Sequence, residues 1–214
     1  FVDGGKIYRN FTSEENFIGT YPFVGYQFPL FQAAIEGISD HNVFEGRNTA
    51  VGERSMLAVV QEVAKEIGPA DVGTLATFDK MYSGISASLK TAAQRSILVA
   101  EKQLQDELAV RILKALFLVK YVEGFQATPR NITVLMYEQF GMDLPGLSRR
   151  VKESLDLLEV QTYIQRNGNT YEYLTDEEQV IEQEIKNVDL DPSEISTRFF
   201  KILSSDVIKN NKIR

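Results

Sequence analysis

The stretch from Leu108 to Leu174 restricts the possible folds more than any other part of the chain. Leu108 to Val122 carries Ile112, Leu113, Leu116, Phe117 and Val119, an apolar density that predicts a buried helix. Thr128-Pro129 then predicts a cap and first helical position for a second helix running through Phe140, with Gly141 as its stop. Leu144 to Glu159 repeats apolar residues at Leu147, Val151, Leu155 and Leu158 and predicts a third helix. Thr162 to Leu174 reads as a hairpin about Asn167-Gly168, a strong turn signal.

Three helices followed by a hairpin is the chain order of a winged helix-turn-helix domain, whose third helix and wing commonly face nucleic acid. Charge argues against that use here. Arg149 and Lys152 each have an acid four positions on, Glu153 and Asp156, and such pairs neutralise one another. The hairpin supplies only Arg166, and by direct count residues 104–190 hold 9 bases against 15 acids. Groove readers need several uncompensated phosphate contacts. Protein contact or packing is therefore favoured, and Arg149, Arg150, Lys152 and Arg166 are the candidates for any nucleic-acid contact.

Upstream, Val51 to Ile67 places Met56, Val59, Val60, Val63 and Ile67 at helical spacing. Winding at about 100° per residue puts Arg54 on the far side, with Ala58, Gln61 and Lys65. An arginine in a first turn opposes the helix dipole unless it pairs locally, here with Glu53 or Glu62, or helps the free N–H groups hold a phosphate.

The other upstream segments read as structural. Lys6 to Asn10 is a candidate strand, Thr12-Ser13 precedes a helix as its cap, and Tyr21 to Pro29 is irregular and packed. Helices are expected from Pro29 through Ile38, over Leu75–Tyr82 and over Ser86–Gln105, none of them gathering titratable groups. Asp40 to Gly52 reads as a polar loop holding His41, a surface or capping histidine, and Arg47. Acidic Asp176–Asn187 and Pro192–Ile208 are further helices. The expected architecture is mainly α: a helical domain over 1–103, a winged helix over 104–190 and a C-terminal helix within 191–214.

Bulk composition excludes several functions. A net charge of −7 makes nonspecific binding of nucleic acid by the whole surface unfavourable. With no cysteine and one histidine the chain cannot form disulfides, thiolate zinc sites or multi-histidine sites, so no metal ligands and no catalytic residues are expected. No apolar run approaches a membrane span, which points to the cytoplasm. The chain opens on Phe1 in mid-pattern, as a piece of a longer protein would. No G-x-x-x-x-G-K-[ST] loop is present, so this segment alone is not expected to hydrolyse nucleotide.

Several strings carry a resemblance. Phe11-Thr12-Ser13-Glu14-Glu15, Tyr21-Pro22-Phe23-Val24-Gly25-Tyr26-Gln27-Phe28, Phe44-Glu45-Gly46 and Val51-Gly52-Glu53-Arg54-Ser55-Met56 resemble the P-loop ATPase component of bacteriophage-exclusion (BREX) defence systems. So do Lys114 to Val122 and Tyr173 to Glu178. The resemblance implies a cytoplasmic prokaryotic protein that uses ATP and Mg through a P-loop upstream of Phe1, forms an oligomer and joins other BREX subunits; the winged helix leaves DNA open as a further partner. Gly52-Glu53-Arg54 opening a helix is also similar to the sensor-2 segment of an AAA+ lid, which implies that Arg54 approaches the γ-phosphate. The alternative from the residues alone is a freestanding winged-helix regulator that binds DNA or protein without nucleotide chemistry.

Overall fold

The computed structural model describes residues 11–46, 53–187 and 192–203, and it is mainly helical with one small antiparallel hairpin. The expected strand at Lys6–Asn10, Arg47 and the residues after 203 lie outside the described residues. The chain divides into two compact units, Phe1–Gln179 and Val180–Arg214.

Helix α1, Glu14–Thr20, begins where expected, with the Ser13 side chain accepting from Asn16 N. Helix α2, Gln27–Asp40, starts two residues before Pro29, because buried Gln27 accepts from Val24 N and donates to Ala76 O, satisfying an otherwise dry turn. It buries Leu30, Phe31, Ala34, Ile35 and Ile38. His41 caps it, with Nδ1 2.8 Å from Gly37 O and its ring stacked on Tyr121.

The expected polar loop after Asp40 is partly core. Val43 and Phe44 are buried, and Phe44 forms a bridge with Leu89 through Lys90 N to Val43 O and Glu45 N to Ser88 O. That pairing also shortens the following helix. Leu89 is held extended, so α5 covers Thr91–Gln103 instead of Ser86–Gln105.

Helix α3, Glu53–Ile67, buries Val59, Val63 and Ile67 and leaves Ala58, Gln61 and Lys65 exposed. The helix expected over Leu75–Tyr82 lies later in the chain: a 3₁₀ turn at Phe78–Lys80 leads into α4, Met81–Ser86. Leu75 and Ala76 are instead tied down as extended chain, donating to Glu138 O and Pro22 O.

Helix α6, Glu107–Val119, is the centre of the first unit. Asp106 caps it by accepting from Leu108 N and Ala109 N, and most of its length is buried. It packs against α2, α5, α8, Leu144–Val160, and the second strand of the hairpin. Helix α7, Pro129–Leu135, has the expected Thr128 cap but ends five residues before Phe140. Beyond Met136 the chain turns extended to bond the 73–75 segment, with Phe140 N donating to Gly73 O at 3.0 Å, and backbone pairing there replaces further helix.

Helix α8 buries Leu147, Val151, Leu155 and Leu158, the stripe its spacing predicts. The hairpin pairs β1, Ile164–Asn167, with β2, Thr170–Tyr173. Asn167 and Thr170 are the closing pair, so the turn residues are Gly168 and Asn169, one position on from the expected centre. Gly168 has φ +63, which suits the first position of a primed turn. One apolar interior joins residues on both sides of position 103, from Phe23 on the α2 approach to Tyr173 on β2.

Helix α9, Asp176–Asn187, opens with a capping box: Thr175 N donates to Glu178 Oε2, and Glu178 N to Thr175 Oγ1. In the second unit Val180, Ile181 and Ile185 are exposed. Helix α10, Pro192–Ile202, exposes Phe199, Phe200 and Ile202.

Candidate functional site

Helix α8 presents the face on which the sequence placed three of its candidate residues. Because Val151, Leu155 and Leu158 turn inward, Arg149, Arg150 and Lys152 turn outward and are exposed. Glu153 and Asp156 are exposed on the same helix, but no direct contact with Arg149 or Lys152 forms among the described residues. Among the described residues none of the three cations makes an ion pair, since long side chains on an exposed face gain little from pairing and stay hydrated.

At the start of α8 a depression of about 270 Å³ is lined by Met142, Leu147, Arg149 and Arg150. Asp143 and Gly146 complete its lining. Exposed Leu144 begins the same helix, so this end of α8 is both cationic and apolar.

Arg166 is used differently. Its Nε donates to Gly168 O at 3.0 Å and its guanidinium lies 5.7 Å from the centre of the Tyr171 ring. The one cation of the hairpin is therefore folded back on its own turn, away from the α8 trio's arrangement of free charges. The remaining exposed hairpin residues are neutral apart from Glu172.

Two charge clusters tie elements of the fold together. Lys120, whose side chain is 4% exposed, donates to Tyr173 O at 2.8 Å and meets Glu178 and Glu172 at 2.9 and 3.2 Å. It ties the end of α6 to β2 and to the first turn of α9. For Glu178 burial alone would raise the pKa, but the Lys120 ammonium and the Thr175 N–H outweigh it and the net direction is down. Arg95 adds an ion pair to Asp176, and Gln179 Nε2 donates to Ser96 Oγ.

The second cluster was missed by sequence reasoning, which assigned no titratable group to the short helices near residue 79. Arg111 on α6 meets Asp79 of the 3₁₀ turn and Glu138 beyond α7, and donates from Nη2 to Thr77 Oγ1. Burial by itself would lower the Arg111 pKa; the two carboxylates reverse this and hold the guanidinium charged. The three partners stand 27 to 34 positions away in sequence, so periodicity carries no sign of them.

Burial raises the pKa of Tyr26, Tyr82 and Tyr173, which keeps these phenols neutral. Their hydroxyls serve packing: Tyr173 donates to Ala93 O and Tyr82 to Gln94 Oε1. Among the described residues no cluster of three or more acids or histidines is placed to hold a metal ion, and no helix is long and apolar enough to cross a membrane.

For Arg54 the backbone lies in the first turn of α3, and its side chain lies outside the described residues. The neighbours in its helical register, Ala58, Gln61 and Lys65, are exposed. No family model matches the chain, and no solved structure matches it.

Proposed function

We propose that this chain is the lid and winged-helix segment of a cytoplasmic ATP-binding protein of a BREX anti-phage system. In that reading α3 carries Arg54 toward a nucleotide and its Mg, both held by a P-loop domain upstream, and α8 with the hairpin engages another BREX subunit or DNA. The observation that carries it is the two-sidedness of α3. Val59, Val63 and Ile67 fix one side in the core, and the side that includes the Arg54 register is open to a neighbouring domain.

The α6, α7, α8 and hairpin sequence supports the winged-helix part, since each later element packs on an earlier one. A guanidinium that meets the γ-phosphate binds the ATP state more tightly than the ADP state. That difference is what moves a lid between two positions. The packing of α3 on α4, of α4 on α6 and of α6 on α8 would carry such a movement to the α8 face.

Replacing Arg54 with Ala in the full-length protein is expected to lower ATP turnover while the helical circular dichroism is unchanged. Wild-type turnover in R54A would remove Arg54 from the mechanism. For the α8 surface, duplex binding by the chain is titrated with salt in wild type and in a variant with Arg149, Arg150 and Lys152 all changed to Ala. DNA engagement predicts a slope of log affinity against log salt that is shallower in the variant, and equal slopes would remove these three residues from DNA contact.

A further inference from the structure

Two exposed features of the chain have complementary chemistry. The first is the depression at the start of α8, lined by apolar Met142 and Leu147, by Gly146, and by Arg149, Arg150 and Asp143, two cations against one carboxylate. Both arginines are exposed and neither makes an ion pair among the described residues. A depression with Met142 and Leu147 in its lining and a net positive charge from Arg149, Arg150 and Asp143 together fits an aliphatic side chain accompanied by carboxylates.

The second feature is such a side chain. On α9, Ile181 is 58% exposed and Ile185 62% exposed. Glu177, four residues before Ile181, and Glu184, three after it, share its side of the helix. Both glutamates are exposed, and their spacing puts their Cα atoms about 10 Å apart along the axis. Glu182 is paired to Lys186, whereas no ion pair involves Glu177 or Glu184 among the described residues.

We infer that α9 of one copy docks the Ile181 side into the α8 depression of a second copy, with Glu177 and Glu184 meeting Arg149 and Arg150. The partner is a second copy of this chain because this chain itself supplies both halves of the match. The contact joins two different surfaces, so each pair keeps one unused depression and one unused α9. Such head-to-tail contacts close into rings or extend as filaments. The inference uses only side chains of this chain and does not depend on the nucleotide reading.

Sedimentation velocity of the 214-residue chain, from micromolar to millimolar concentration, tests it. Mass-action growth of the sedimentation coefficient is expected for wild type. Reversing either side, with R149E/R150E or with E177R/E184R, is expected to weaken association by about tenfold or more, since two rim pairs together are worth on the order of 1.4 kcal/mol. All four positions are exposed, so circular dichroism should be unchanged. Mixing the two reversed proteins, or combining all four substitutions in one chain, should restore association.

A wild-type chain that stays monomeric throughout the range would overturn the inference, as would association indifferent to both reversals. Association lost in each reversed variant but not regained in the mixture would do the same, because it would show that the two sides do not meet. Duplex DNA captured by Arg149 and Arg150 without any self-association would assign the depression to nucleic acid.

Discussion

Arg111 Nε lies 3.2 Å from Asp79 Oδ2, and this pair joins the buried central helix to the turn that begins α4. Asp79 is 5% exposed, and its Oδ1 accepts no hydrogen bond from any described residue. The guanidinium is thus the main compensation for a carboxylate that folding has taken out of water, and a buried charge without its partner is costly.

Changing Arg111 to Met should destabilise the chain by about 3 kcal/mol, because it strands Asp79. The double change R111M/D79L should lose less than R111M alone, since no charge is then left buried. Urea unfolding of the three proteins checks this ordering; a double variant weaker than the single would overturn the stranded carboxylate as the cause of the loss.

Lys120 and Glu178 give a pH dependence with a definite sign. The folded Glu178 carboxyl titrates below its ordinary value of 4.5, so its stabilising contribution is complete above that value and is lost as pH falls through the depressed folded value. Glu178 is partly exposed, so the effect is no more than about 1 kcal/mol. Urea midpoints of wild type and E178Q should differ at neutral pH and converge under acid. A constant offset at every pH would count against the pairing.

Lys120 itself is buried, and its loss removes contacts to Glu172, Tyr173 O and Glu178 together. Changing it to Met should cost about 1 to 3 kcal/mol. Hydrogen exchange should rise at β2 and the first turn of α9 before it rises in α2, and uniform exchange across the first unit would contradict that order.

Gly168 sits at φ +63 with nothing within 4 Å of the position a Cβ would take. An alanine there meets backbone strain and no clash, so G168A should cost about 1 to 2 kcal/mol. G168N should cost less, because asparagine tolerates that conformation better. Thermal unfolding of the two variants distinguishes strain from crowding, since crowding would penalise asparagine more.

Gly37 differs in kind. Its conformation is ordinary helix, but a Cβ would stand 2.5 Å from Tyr121 O, where α2 crosses the end of α6. G37A must move backbone against backbone and should cost about 1 to 3 kcal/mol. Its circular dichroism should report altered aromatic packing near the His41 and Tyr121 stack.

The sequence by itself determined the helical class, the amphipathic stripes of α3, α6 and α8, the caps at Ser13 and Thr128, and the existence of a hairpin. These follow from spacing and local hydrogen bonding within a few residues, which the sequence records directly. Tertiary structure alone decided where α5 begins and where α7 stops, because Leu89 and the chain after Met136 give up helix to pair with segments far away in sequence. It also decided which charges are paired. Arg111 finds Asp79 and Glu138 across the fold, Arg166 turns onto its own hairpin, and among the described residues Arg149, Arg150 and Lys152 make no ion pair with the acids at helical spacing. A charge's partner is set by distance and burial in three dimensions, and separations of about 30 positions leave no periodic trace to read.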